Sequence, residues 1–151
     1  MRTEASRVAP RRAEAGFTLV ELMVVMVVIG ILTAVAVPVY LMQRQQAYDT
    51  VARSDAQRLA VRLVAWYTEN VGAGPPAVTI TGGHYVVDGE DVGATGDGVR
   101  LGTHAGVPAA TSTADTSGWT VTTWCLNVLH PEGSQRYYSA TATGVHAAPC
   151  P

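Results

Sequence analysis

This sequence has few of the groupings from which enzymes are built. Its four histidines, His84, His104, His130 and His146, are scattered. Each reads as a surface or turn residue, and no compact His/Cys spacing of the kind that holds zinc occurs. No serine sits in a G-x-S-x-G elbow, and Cys125, beside Trp124, reads as half of a disulfide and not as a nucleophile. An enzyme is therefore not expected, nor a cofactor. Asp88, Glu90, Asp91 and Asp97 lack the EF-hand spacing; exposed acidic turns are the ordinary reading of this stretch and calcium binding is the alternative. Trp119, Trp124, Tyr137 and Tyr138 read as core and cross-strand packing. Lysine is absent, all ten basic residues being arginine, a feature of base composition from which no function is drawn. Positive charge is also short: the formal net charge is −2, which argues against general nucleic-acid binding by charge.

What the chain does have is one long hydrophobic run. Leu22 to Met42 carries no charge, and at roughly 1.5 Å per residue it is about 31 Å long, close to the hydrocarbon thickness of a bilayer. Ahead of it, residues 1–16 hold Arg2, Arg7, Arg11 and Arg12 against Glu4 and Glu14, a net of +2 that leaves −4 for the rest. A basic flank on this side keeps the N-terminus in the cytoplasm and sends the remainder outward. Cysteine is limited to Cys125 and Cys150. In an exported domain an even pair reads as a disulfide; the alternative is two free thiols in a reducing compartment.

The decisive stretch is Ala15-Gly16-Phe17-Thr18-Leu19-Val20-Glu21, immediately before the apolar run. A secretory signal is cut after its apolar segment, at small residues, and Ala34-Val35-Ala36 offers such a site, which would release a soluble domain after Ala36. Arg11-Arg12 invites a twin-arginine reading, but Ala, Glu, Ala and Gly follow it. Glu21 argues against simple secretion. A carboxylate in a membrane helix costs on the order of 2.5–3.5 kcal/mol when central and less near an edge, and a plain anchor gains nothing from it. Cleavage after Gly16 would create a cationic partner, since a free α-amino group has a pKa near 8. Pairing within one helix has poor geometry, and a neighbouring subunit's terminus is the better candidate.

The string Gly16-Phe17-Thr18-Leu19-Val20-Glu21-Leu22 with its apolar run resembles the class III signal of type IV pilins and pseudopilins. The resemblance implies cleavage after Gly16 by a prepilin peptidase, N-methylation of Phe17, and a role for Glu21 in placing the subunit during assembly. Gly30 and Pro38 fall where many such proteins carry helix-weakening residues. Pro38 lacks an amide proton and crowds the carbonyl of Ala34, so the helix is expected to kink or loosen there, with Gly30 a second soft spot.

Past the membrane segment, Gln43 to Asn70 contains neither Gly nor Pro. Tyr48, Val51, Ala52, Ala56, Leu59, Leu63, Trp66 and Tyr67 recur at three- and four-residue steps, an apolar stripe expected to pack on a sheet. Asp49 and Arg53 have the spacing of an i,i+4 pair. One helix from about Phe17 to Asn70 is predicted, ended by Val71-Gly72-Ala73-Gly74-Pro75-Pro76. Strands are predicted at Val78–Thr81, His84–Val87, Val99–Leu101, Trp119–Leu129 (the strongest) and Arg136–Thr143. Trp119 and Val121 are out of phase with Trp124, Leu126 and Val128, which a bulge or bend would reconcile. The expected organisation is α+β: a leader (1–16), a transmembrane assembly helix (17–42), the amphipathic half of that helix (43–71), and a β domain (72–151) with an αβ-loop and a bridged C-terminal loop on a small antiparallel sheet.

The resemblance then implies a filament subunit without enzymatic activity. Its partners would be other pilin copies, the prepilin peptidase, an inner-membrane assembly platform, and the membrane before assembly. It would be a single-pass protein of the cytoplasmic membrane with its N-terminus inside, then part of an extracellular pilus serving adhesion, motility or DNA uptake. A pseudopilin of a type II secretion system is the alternative. The bridged C-terminal loop favours a pilin, because major pseudopilins commonly lack it.

Overall fold

A computed structural model describes residues 16–102, 112–135 and 137–150. The leader residues before Gly16, His104 and Arg136 lie outside the described residues. The chain forms two compact units, residues 1–39 and 40–151, and α1 (Leu19–Glu69) supplies residues to both.

In the first unit the helix is apolar on every face, and its side chains are exposed. α1 is assigned as continuous helix through Pro38. Thr33 Oγ1 donates to the carbonyls of Ile29 at 2.8 Å and Gly30 at 3.1 Å, the back-bonding that bends helices slightly.

In the second unit α1 turns amphipathic. Ala52, Ala56, Leu59, Leu63, Trp66 and Tyr67 of the anticipated stripe are buried, joined by Asp55 and Ala60; Tyr48 and Val51 are half-buried at its start. The helix stops one residue short of Asn70. Asn70 turns its side-chain amide onto the Trp66 carbonyl at 3.0 Å, and Gly72, at φ 84°, takes the left-handed conformation common just past a helix end.

Two antiparallel sheets follow. The first has the order β1 (Val78–Thr81), β2 (His84–Val87), β3 (Glu90–Ala94). Gly82-Gly83 and Asp88-Gly89 link these strands as two-residue turns in which both residues have positive φ, the geometry that matches the twist of a hairpin. β3 replaces the acidic turn anticipated at 90–91: Asp-Gly is a hairpin signal, and the strand after it is short and half polar. The second sheet has the order β4 (Arg100–Gly102), β5 (Cys125–Leu129), β6 (Tyr138–Thr141), β7 (Gly144–His146).

The long strand anticipated from Trp119 is corrected: only Cys125–Leu129 pairs. Trp119–Thr123 folds as turns, with Thr120 Oγ1 accepting from the amides of Thr122 at 3.4 Å and Thr123 at 3.2 Å. Local hydroxyl bonds of this kind compete with a sheet ladder. They also account for the phase break at Trp124, by a turn and not a bulge. β6 is shorter than the anticipated 136–143 segment, and β7 occupies what reads in the sequence as tail.

β5 is buried along its whole length. Trp124, Leu126 and Val128 join the α1 side chains, Val78, Tyr85 and Val87 in one core. Each such aliphatic side chain contributes about 1.5–3 kcal/mol on burial. On the alternate face Cys125 is bonded to Cys150, and Asn127 Oδ1 accepts from the Cys150 amide at 2.9 Å. The C-terminal segment is thereby held to the central strand by a covalent bond and a buried hydrogen bond.

Candidate assembly site

The junction before the apolar helix is built locally. Glu21 donates its amide to Thr18 Oγ1 at 3.1 Å, and the Glu21 carboxylate accepts from the Thr18 amide at 3.4 Å. This reciprocal pair is a capping box: two amides that the first helical turn leaves unpaired each find a side chain. A carboxylate at this end is also favoured by the helix dipole. The T-x-x-E spacing was present in Thr18–Glu21, although only Glu21 stands out as a site residue from the sequence. In the uncut chain Glu21 therefore has an intramolecular partner in Thr18.

Phe17 is 83% exposed. At Gly16 and Gly30 an added Cβ would meet no atom within 4 Å, so neither glycine is required by packing within the chain. Gly16, Phe17, Thr18 and Glu21 fall within six consecutive residues at the helix start. Gly30 and Pro38 lie farther along the same helix, and Cys125 and Cys150 belong to the second unit.

Several polar side chains of the second unit are engaged internally. Asp55, a buried carboxylate on the core face of α1, accepts from Tyr85 Oη at 3.0 Å and the Gly96 amide at 2.7 Å, and pairs with Arg58. Burial, then the Asp55 charge, hold the Tyr85 phenol well above the usual tyrosine range. Asp55 went unnoticed in the sequence because an acid within an apolar stripe carries no signal of its partners.

Asp49 does not pair with Arg53 as its spacing suggests. It accepts from the Gln135 amide at 3.0 Å and from Ser134, and so holds the loop after β5. His130, expected as a surface or turn residue, opens the turn after β5, its carbonyl accepting from the Gly133 amide, but is buried: its ring stacks on Tyr48 at 4.1 Å, and Nε2 lies 2.8 Å from the Asp97 carbonyl. Three acids of the 88–98 stretch are likewise engaged. Asp88 accepts from Trp66 Nε1 at 3.3 Å, Glu90 pairs with Arg62, and Asp91 accepts from the Gly93 amide and contacts His84. The Gly93 amide, then His84, hold the Asp91 carboxyl below its usual value. Among the described residues no group of three His, Cys, Asp or Glu side chains could hold a metal ion.

An apolar helix with every face exposed, preceded by a capped carboxylate, is suited to burial in lipid or against other helices. The comparisons with known proteins agree. Residues 11–37 match the prokaryotic N-terminal methylation motif, and the relatives the chain resembles include type IV pilins and a type II secretion core protein. It is 43% identical over 60 residues to the type II secretion system core protein G of Pseudomonas aeruginosa, covering 40% of this chain and 42% of that one. It is 41% identical over 88 residues to the type IV major fimbrial protein FimA of Dichelobacter nodosus (57% and 52%), and 35% identical over 80 residues to the type IV major pilin protein PilE of Neisseria gonorrhoeae (48% of each). The chain spans about half the length of the curated relatives it matches. No solved structure matches it.

Proposed function

We propose that this protein is a structural subunit of a type IV pilus, cut between Gly16 and Phe17, methylated at Phe17 and polymerised through the apolar half of α1. The observation that carries the reading is the exposed apolar helix directly behind Gly16-Phe17, most of it within the methylation motif. Before assembly this segment spans the cytoplasmic membrane with its N-terminus inside; afterwards it is covered by the helices of other copies. The prepilin peptidase and an inner-membrane platform are its processing and assembly partners, and adhesion, motility or DNA uptake the tasks of the fibre. Leader (1–16), assembly helix (17–42), amphipathic helix (43–71) and β domain (72–151) are the corresponding working parts. Glu21 acts in subunit placement, exchanging Thr18 for a neighbour's cationic terminus. Gly30 and Pro38 let the helix adjust as it leaves the membrane.

Pseudopilin function in type II secretion is the second reading, favoured by the match to core protein G. Intact mass and N-terminal sequencing of the mature protein test the processing: N-methylated Phe17 is expected, and a chain beginning at Val37 would overturn the proposal. Glu21→Ala is expected to be processed yet to yield few filaments. Imaging of tagged surface filaments separates pilus from secretion piston.

A further inference from the structure

Arg44 follows Met42, the last residue of the uncharged apolar run, by two positions, about 3 Å along the helix axis. It lines an open cavity of about 360 Å³ with Leu41, Gln45 and Tyr48 of α1 and the turn at 131–133. All of these residues belong to the second unit. Two opposite charges stand at the cavity: Arg44 Nη2 lies 2.9 Å from Glu132 Oε2, and the two side chains are 50% and 56% exposed. The same buried histidine holds both in place. His130 stacks on Tyr48, whose hydroxyl accepts from Arg44 Nε at 2.8 Å. On its other side, His130 Nδ1 accepts from the Glu132 amide at 3.1 Å. Within the described residues, Arg44 Nη1 and Glu132 Oε1 make no hydrogen bond, so each charge keeps an open edge.

We propose, resting on the membrane-spanning reading of the apolar run, that this cavity binds the headgroup of a phospholipid bearing a primary amine. Where a span ends, the chain enters the headgroup layer, and a basic pocket at that level is suited to lipid headgroups. The guanidinium fork of Arg44 matches a phosphate, which it can meet through Nη1. The primary ammonium, an ethyl linker away, then reaches Glu132 Oε1. Leu41, exposed on the last turn of the apolar run, lies where the acyl chains begin. The Arg44–Glu132 pair stays closed in this arrangement, its outer edges taking the ligand. Paired opposite charges select the occupant. A phospholipid without an amine would leave Glu132 beside a second negative charge. A choline headgroup has no N–H to donate to the carboxylate. Free inorganic phosphate would use Arg44 alone and gain nothing from Leu41.

The test is native mass spectrometry of the full chain in detergent micelles. It is titrated with phosphatidylethanolamine, phosphatidylcholine and phosphatidylglycerol of matched acyl chains, and with water-soluble glycerophosphoethanolamine. Phosphatidylethanolamine is expected to bind about fivefold more tightly than the other two lipids. Glu132→Gln should make the three lipids equal, and Arg44→Gln should weaken all three about tenfold. Both side chains are half exposed, so both variants should keep the parent's unfolding temperature. Protease protection of the chain reconstituted in phosphatidylethanolamine bilayers checks the span separately. A chain that fails to insert overturns the membrane reading, whereas an inserted chain with equal affinity for the three lipids overturns the headgroup site alone. The site is also overturned by a phosphatidylethanolamine preference that survives both substitutions, by equal binding of glycerophosphoethanolamine, or by paired chains in place of lipid adducts.

Discussion

Asp55→Ala offers the most direct measure of how the second unit holds together. Asp55 is 2% exposed, and its carboxylate takes hydrogen bonds from Tyr85 Oη at 3.0 Å and the Gly96 amide at 2.7 Å. Removing it leaves a fully buried phenol and a part-buried amide without acceptors, each costing about 1–3 kcal/mol. The lost volume adds about 1 kcal/mol. Arg58, whose side chain is 39% exposed, turns to water and also keeps its bond to the Ala94 carbonyl, so its share is small. The expected loss is about 4 kcal/mol. At roughly 5 °C per kcal/mol for a domain of this size, that lowers the unfolding temperature by about 20 °C. The assay is thermal unfolding of the full chain in detergent, followed by near-ultraviolet circular dichroism of the core tryptophans. Adding Tyr85→Phe to Asp55→Ala removes the stranded phenol and should recover about 1–2 kcal/mol, whereas Tyr85→Phe alone should cost about 1 kcal/mol. A loss under about 1 kcal/mol for Asp55→Ala, or strict additivity of the two substitutions, would refute the reasoning.

Three further outcomes follow from the same structure. Cys150→Ser opens a bridge between residues 25 apart and should cost about 3 kcal/mol in the chain-entropy model; equal denaturant midpoints for variant and parent would contradict it. Gly96→Ala should destabilise the loop before β4, because the new Cβ would lie 2.0 Å from Val51 Cγ1 and 3.2 Å from Asp55 Oδ2. Hydrogen exchange at residues 95–99 is the readout, and unchanged protection there is the adverse result. Tyr85, held neutral by burial and by Asp55, should be silent in an absorbance titration of the folded chain while more exposed tyrosines ionise. Its folded pKa lies above the unfolded value, so its contribution to stability is complete below about pH 10. That contribution is lost as pH rises from there toward the folded pKa, and ionisation of all six tyrosines before any unfolding would count against this.

Much of the architecture was readable before the structure, for reasons that differ by segment. The stripe from Ala52 to Tyr67 shows a 3.6-residue period strong enough to place both the helix and its buried face. Val78–Thr81 and His84–Val87 fall between glycine turns that confine them. Trp119–Leu129 misled because its aromatic and β-branched content suits a strand, while the threonine hydroxyls that fold its first half into turns act through local geometry. β3 was hidden by its acids, and β7 by its brevity. At the helix start, Glu21 could be singled out by its cost in an apolar run. Its bond to Thr18 became clear only when the cap was seen as a pair.

The sequence by itself determined that residues 22–42 form an uncharged apolar helix behind Gly16-Phe17 and Glu21, because hydropathy and the motif are properties of adjacent residues. Only the tertiary structure decided which polar groups are satisfied. Asp49 reaches residues 134–135 and not Arg53, Asp55 meets Tyr85 and Gly96, His130 is enclosed beside Tyr48, and Tyr67 and Trp119 are left with unpaired polar atoms. These partners lie tens of residues apart, and hydrogen bonding acts over about 3 Å; chain reversal, not spacing, brings them together.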